Sequence, residues 1–318
     1  MLQVPFFANT MLAALVGNFN LPNLFLILFC SIFQSFNMVS STSYKRKLWI
    51  LICCYLTFSF SASLLLSLLL SESSYELSKL SLIFFSVVSF LLPVLIIRKL
   101  FWSKSSFNNC KNKRQWNLWV TVLSISAMVC SIVVMNWLGH LNQQLPIWSS
   151  LSESEIKGNE KLQQYMKMDS IELLFYNLLI FSFVPSFCEE VFFRGTMQPL
   201  WVKNTGSKWL AVLITATIFS FLHYRFFGFL PRLFAGLVLG TIFLFSKNIV
   251  LTIICHVVHN GSIVVLNYTE QHTTFETSIF QRQLLNPYLI IAAIALTTGL
   301  LWQLRKTTRQ AKKFPILS

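Results

Sequence analysis

Nine runs of apolar residues, each near the length a helix needs to cross a lipid bilayer, leave this 318-residue chain little freedom in what it folds into. They fall roughly at Leu21–Ser40, Leu48–Leu70, Leu80–Ile97, Trp116–His140, Ile171–Leu200, Trp209–Tyr224, Arg232–Ser246, Ile249–Tyr268 and Tyr288–Trp302. A bilayer core of about 30 Å takes about 20 helical residues, and a backbone buried in lipid must satisfy its own polar groups. The residues come as long runs, not as amphipathic stripes, and a soluble fold offers no place for so many of them. Composition agrees: 55% of residues are hydrophobic, 11% are charged and mean hydropathy is +0.63, where a soluble domain carries about a quarter charged residues. The expected fold class is all-α, a polytopic transmembrane helical bundle of about nine spans. The shorter stretch Val4–Val16, with Pro5 and Asn9, reads as an interfacial segment.

Charge gives the orientation. The net charge of +14 would raise nucleic acid as a partner in a soluble protein. Here the basic residues sit beside the apolar runs: Lys45 to Lys47, Arg98 to Arg114 and Arg305 to Lys313. Segments 41–47, 98–115, 201–208 and 303–318 hold most of the Lys and Arg and no acids, whereas 71–79, 141–169 and 269–287 hold eight of the eleven acids. Basic and acidic connections alternate with the spans, which puts the C-terminus in the cytoplasm and the long polar segment 141–169 outside. Such placement suits anionic headgroups, and no nucleic-acid partner is expected. All seven cysteines but Cys110 lie within apolar runs, so a disulfide framework is not expected. The first residues lack a basic region ahead of an apolar stretch, and no removable signal peptide is expected.

Ionisable residues inside spanning helices cost roughly 2.5–3.5 kcal/mol each on insertion scales, so each asks for a reason. They concentrate at three places: Glu189-Glu190-Val191-Phe192-Phe193-Arg194, Phe219 to His223, and His256-Val257-Val258-His259-Asn260. Glu190 and Arg194 are one turn apart on one helix face and can pair, whereas Glu189 is turned about 100° away. A self-neutralising pair beside a free carboxylate is a way to hold one reactive base in an apolar interior. Pro185 removes a backbone hydrogen bond just before it and is expected to disturb the helix. His256 and Asn260 share a face and could donate to one oxygen, as an oxyanion hole requires. His223 could then hold a water with Glu189. No Ser or Cys is clearly placed as a nucleophile. Taken singly, each group has a plain structural role: an intramembrane Glu–Arg pair, a helix-end histidine and an interhelical Asn are ordinary features, and His259 reads as structural. Their coincidence on three helices is not ordinary.

That pattern resembles the CPBP family, the CAAX-prenyl protease type II and bacteriocin-processing intramembrane proteases also called Abi proteins. The family's signatures EExxxR, FxxxH and HxxxN occur here in order, as Glu189-Glu190…Arg194, Phe219…His223 and His256…Asn260. Gly195 after the acids and Gly236…Gly240 between the histidine motifs also fit. The resemblance covers roughly residues 170–268 and implies a catalytic cavity inside the membrane. It implies Glu189 as general base with His223 assisting, His256 and Asn260 as oxyanion stabilisers, Glu190 and Arg194 as supports, and Phe219 as packing. Glu189, His223 and His256 could in principle supply zinc with a His₂Glu site, but HExxH is absent. The reading favours a glutamic-type protease with no cofactor.

The chain therefore divides into an N-terminal transmembrane extension of unknown role (1–169), a CPBP-like catalytic core (170–268), and a final transmembrane helix with a basic cytoplasmic tail (269–318). The expected function is that of an intramembrane endopeptidase acting on a membrane-associated, lipidated or hydrophobic peptide. The alternative is a non-catalytic membrane binding or immunity protein that retains the protease fold.

Overall fold

The computed structural model describes residues 43–69, 75–101, 117–146 and 149–313. The expected span Leu21–Ser40, the segment Val4–Val16, the basic stretch 102–116 and residues 314–318 lie outside them. Among the described residues every regular element is helical. Helix α1 is Tyr44–Leu69, α2 covers residues 75–101, α3 is Leu118–Gln143 and α4 is Ser149–Tyr165. Helix α5 is Ile171–Thr205, α6 is Lys208–Phe221, α7 is Phe229–Ser246 and α8 is Ile249–His272. The short α9, Thr277–Gln283, leads to α10, Pro287–Lys313.

Seven of these elements are long and apolar enough to cross a membrane: α1, α2, α3, α5, α7 with the turn before it, α8 and α10. The expected span Trp209–Tyr224 is the exception, since α6 has only 14 residues, about 21 Å of helix. Two edges also move. Helix α2 begins before Leu80, which brings Lys79 into a buried position. The span expected from Arg232 begins earlier, so Arg232 lies inside the helix and is 4% exposed. The long polar connection carries helix α4, as a segment with only moderate apolar content and good helix formers allows.

Prolines leave a regular mark on the spans. Helices α2 and α5 contain π-turns at Val87–Leu91, Leu178–Phe183 and Phe193–Met197, and each ends two residues before a proline: Pro93, Pro185 and Pro199. A proline has no N–H and its ring crowds the carbonyl four residues back. Widening the preceding turn by one residue relieves that crowding without breaking the helix. Pro185 is thus absorbed by a π-turn, and the Glu189–Glu190 segment lies between two such turns.

The residues before the motifs are built into the same core. Tyr55 of α1, Phe90 of α2 and Phe192 and Phe193 of α5 form one aromatic cluster, with centroids 5.2 Å apart for Tyr55–Phe90, 5.5 Å for Phe90–Phe192 and 5.0 Å for Phe192–Phe193. Phe219 of α6 closes it, 5.1 Å from Phe193. Edge-to-face rings at such separations add to the burial they provide. On the other side, α3 packs along α7, α8 and α10 around Met128, Leu239, Ile242 and Leu251.

Candidate active site

Four helices bring the site together, and small residues decide how closely. Arg194 and Gln198, one turn apart on α5, donate to the carbonyls of Gly236 (3.1 Å) and Gly240 (3.0 Å), themselves one turn apart on α7. Those carbonyls are reachable because the glycines carry no side chain. A methyl added at Gly236 would lie 3.0 Å from Ala216 Cα of α6, and one at Gly240 would lie 3.0 Å from Val212 Cγ1. The stripe Gly236…Gly240 is what lets α5, α6 and α7 meet.

Glu190 sits at the centre and is fully buried. Its Oε1 accepts from Arg194 Nη1 at 2.7 Å, the pair that the i, i+4 spacing anticipates. It also accepts from His256 Nδ1 of α8 at 2.9 Å, a contact that no spacing within one helix could reveal. The neighbouring carboxylate has a different fate. Glu189 is 2% exposed and, unlike Glu190, lines a cavity; its Oε2, like that of Glu190, takes no hydrogen bond from the protein. His256 Nε2 is the nearest cation-forming group, at 3.9 Å.

Glu189 opens onto a small cavity shared by His223, His256, His259, Asn260, Phe219, Pro185 and Arg232. Its volume is about 10 Å³, room for roughly one water. His223 follows the end of α6, and its Nδ1 donates to the Phe219 carbonyl at 2.6 Å. A carbonyl only accepts, so Nδ1 carries the proton and Nε2 keeps its lone pair in the neutral ring. The next residue, Tyr224, has φ 51°, a left-handed conformation rare for a bulky side chain. There the chain leaves the helix just past His223. Asn260 donates to Ser186 Oγ at 3.2 Å. Phe219 packs against His223 (4.7 Å) and His256 (5.9 Å), with Arg194 Cζ 5.1 Å above its ring.

All the motif residues expected from the sequence therefore converge, although His223 follows the shortest apolar helix. His256 and Asn260 both line the cavity but differ from the simple expectation of two free donors: one is engaged by Glu190 and the other by Ser186. Sequence reasoning passed over Ser186, an uncharged residue that nothing marks out although it lies one turn before Glu190. It also passed over Arg232, which looked like the interfacial first residue of a span. Among the described residues no three His, Cys, Asp or Glu side chains are grouped so as to hold a metal ion.

A second polar cluster covers the turn after α6. Glu155 of α4 accepts from Arg225 Nε (3.1 Å) and from the Phe226 amide (2.6 Å), and Arg225 also donates to Asn159. Asn142 of α3 accepts from the Leu230 amide at 2.7 Å. The turn between α6 and α7 is thereby tied to α3 and α4.

A bundle of apolar spans around a buried carboxylate, imidazoles and an amide defines an integral, multi-pass membrane protein with a polar site between its helices. Residues 171–262, which carry all three motifs, match the family model described as type II CAAX prenyl endopeptidase Rce1-like, and this supports a CPBP-type protease. No match to a curated protein or to a solved structure was found.

Proposed function

We propose that the chain hydrolyses a peptide bond in a hydrophobic or lipidated peptide held at the membrane, using a water activated by Glu189 and His223. The observation that carries this reading is the division of labour between adjacent carboxylates. Glu190 Oε1 is taken up by Arg194 and His256 and Glu190 does not line the cavity, while Glu189 faces that water-sized cavity with His256 as its one ionic neighbour, at 3.9 Å.

The chemistry follows from the donors and acceptors. A water there can donate one hydrogen to Glu189 and the other to His223 Nε2, which points its own lone pair at a carbonyl carbon. Glu189 takes the proton as the new C–O bond forms. The resulting oxyanion is met by the second N–H of Asn260 and, in the imidazolium form, by His256 Nε2–H. Glu190 supports that form by holding Nδ1–H. Glu189 then returns its proton to the departing amine as the C–N bond breaks. Water is consumed, and an acid and an amine leave.

No metal is needed in this scheme. His256 Nδ1 is bound by Glu190, and His223 Nδ1 by the Phe219 carbonyl. The alternation of basic and acidic connections supports a cytoplasmic C-terminus, with α4 on the outer side. The test compares the termini of membrane peptides in cells carrying the wild-type chain or Glu189→Gln at matched expression. New termini are expected only with the wild type, and cleavage in isolated membranes should persist in 1,10-phenanthroline. Identical termini in both cells would favour a non-catalytic binding protein.

A further inference from the structure

Arg232 is a charged cavity residue for which hydrolysis has no use. It lies in the first turn of α7, and it lines the same cavity as Glu189, His223 and His256. Its head folds back toward the helix N-terminus, where Nη2 donates to the Arg225 carbonyl and Nε has no hydrogen-bond partner. Gly228 makes room for it, since a methyl there would lie 2.9 Å from Arg232 Cζ.

Arg194 is differently placed. Both guanidiniums are buried, but Arg194 has a carboxylate at 2.7 Å, and no acid comes within ion-pair distance of Arg232 among the described residues. The charges acting on it are Glu155 and Arg225 from the cluster over the turn after α6 and Glu189 across the cavity. Glu155 is already occupied by Arg225 and the Phe226 amide. A buried charge without a counter-ion is costly. A fork of N–H donors is also the group that pairs best with a carboxylate, often through two bonds at once.

Building on the protease reading, we propose that Arg232 anchors the substrate's C-terminal carboxylate. In a peptide drawn from the bilayer, acidic side chains are rare, while the chain end always carries a carboxylate. Arg232 and Glu189 line one cavity, so an end held by the guanidinium lies beside the general base. Arg232 touches substrate but takes no part in proton transfer.

The test uses the full chain in lipid nanodiscs with one N-palmitoylated hydrophobic peptide, made as the free acid and as the C-terminal amide. Wild type is expected to cleave the acid with kcat/KM about tenfold or more above the amide, the range of a charged hydrogen bond, mainly through KM. That preference should fall to near unity in Arg232→Gln and return in part in Arg232→Lys, which keeps the charge but not the fork. Binding is read apart from cleavage with Glu189→Gln protein, whose thermal unfolding the acid should raise more than the amide, and only with Arg232 intact. Equal behaviour of acid and amide, including no effect of either, overturns the anchor. So does a preference that survives in Arg232→Gln, or an amide ending in Asp cleaved as well as the acid. Preferential binding of the acid without cleavage by wild type keeps the anchor and overturns the hydrolytic reading instead.

Discussion

Glu189→Gln is expected to slow peptide hydrolysis by about a hundredfold to ten-thousandfold, the usual range for a positioned general base, with the fold unchanged. Gln has the shape of Glu and still accepts a hydrogen bond, but its amide does not take a proton from water at neutral pH. The substitution should be mild for the structure because Glu189 Oε2 has no protein hydrogen bond to lose. It also removes a buried carboxylate whose one ionic neighbour is His256, at 3.9 Å, and this offsets the loss of that weak contact. The measurement is hydrolysis of a lipidated peptide by protein in nanodiscs, with thermal unfolding recorded on the same samples. Activity within a few-fold of wild type would remove Glu189 from the reaction. Lost activity with a collapsed unfolding midpoint would make it a structural acid.

Which residues belong to the site was legible in the sequence because each of the three motif segments has a periodicity of its own. The pairs Glu190–Arg194, Phe219–His223 and His256–Asn260 all recur at i, i+4, and helix geometry alone puts each pair on one face. The all-helical class was legible for a similar reason, since run length needs no tertiary information. What could not be read was anything that depends on which faces meet. His256 on Glu190 and Ser186 under Asn260 are contacts between helices separated by more than sixty residues. Nothing in either segment names its partner.

Span edges failed for a different physical reason. Hydropathy makes Lys79 and Arg232 the polar limits of apolar runs, because it assigns a cation at a run's end to the interface. In the bundle a neighbour can cover that end. Lys79 reaches Asn177 Oδ1 at 3.4 Å, and Arg232 is roofed by the turn that Glu155 holds down. The prolines show the opposite case, in which a local signal was read but its answer was not. Pro185 announced a disturbance, and the chain met it with an added residue in the preceding turn, as it did before Pro93 and Pro199.

Removing Arg194 should have the largest effect on stability. Arg194→Met keeps much of the apolar stem but leaves Glu190 with His256 as its sole ionic partner, and the Gly236 carbonyl without its donor. Breaking a buried pair from one side costs about 3–5 kcal/mol, because an uncompensated charge stays behind. The double variant Glu190→Gln/Arg194→Met removes the charge as well, and should recover much of that loss while remaining inactive or nearly so. Arg194→Lys should not behave as conservative, since one ammonium cannot match a planar fork that spans Glu190 on its own helix and Gly236 on the next. Urea or thermal unfolding in one detergent would measure all three. The expected order of stability is wild type, the double variant, then Arg194→Met. If Arg194→Met unfolds with the wild type, the Glu190 charge must be relieved elsewhere. The division between a neutralised Glu190 and a reactive Glu189 would then lose its electrostatic basis and rest on position alone, since Glu189 lines the cavity and Glu190 does not.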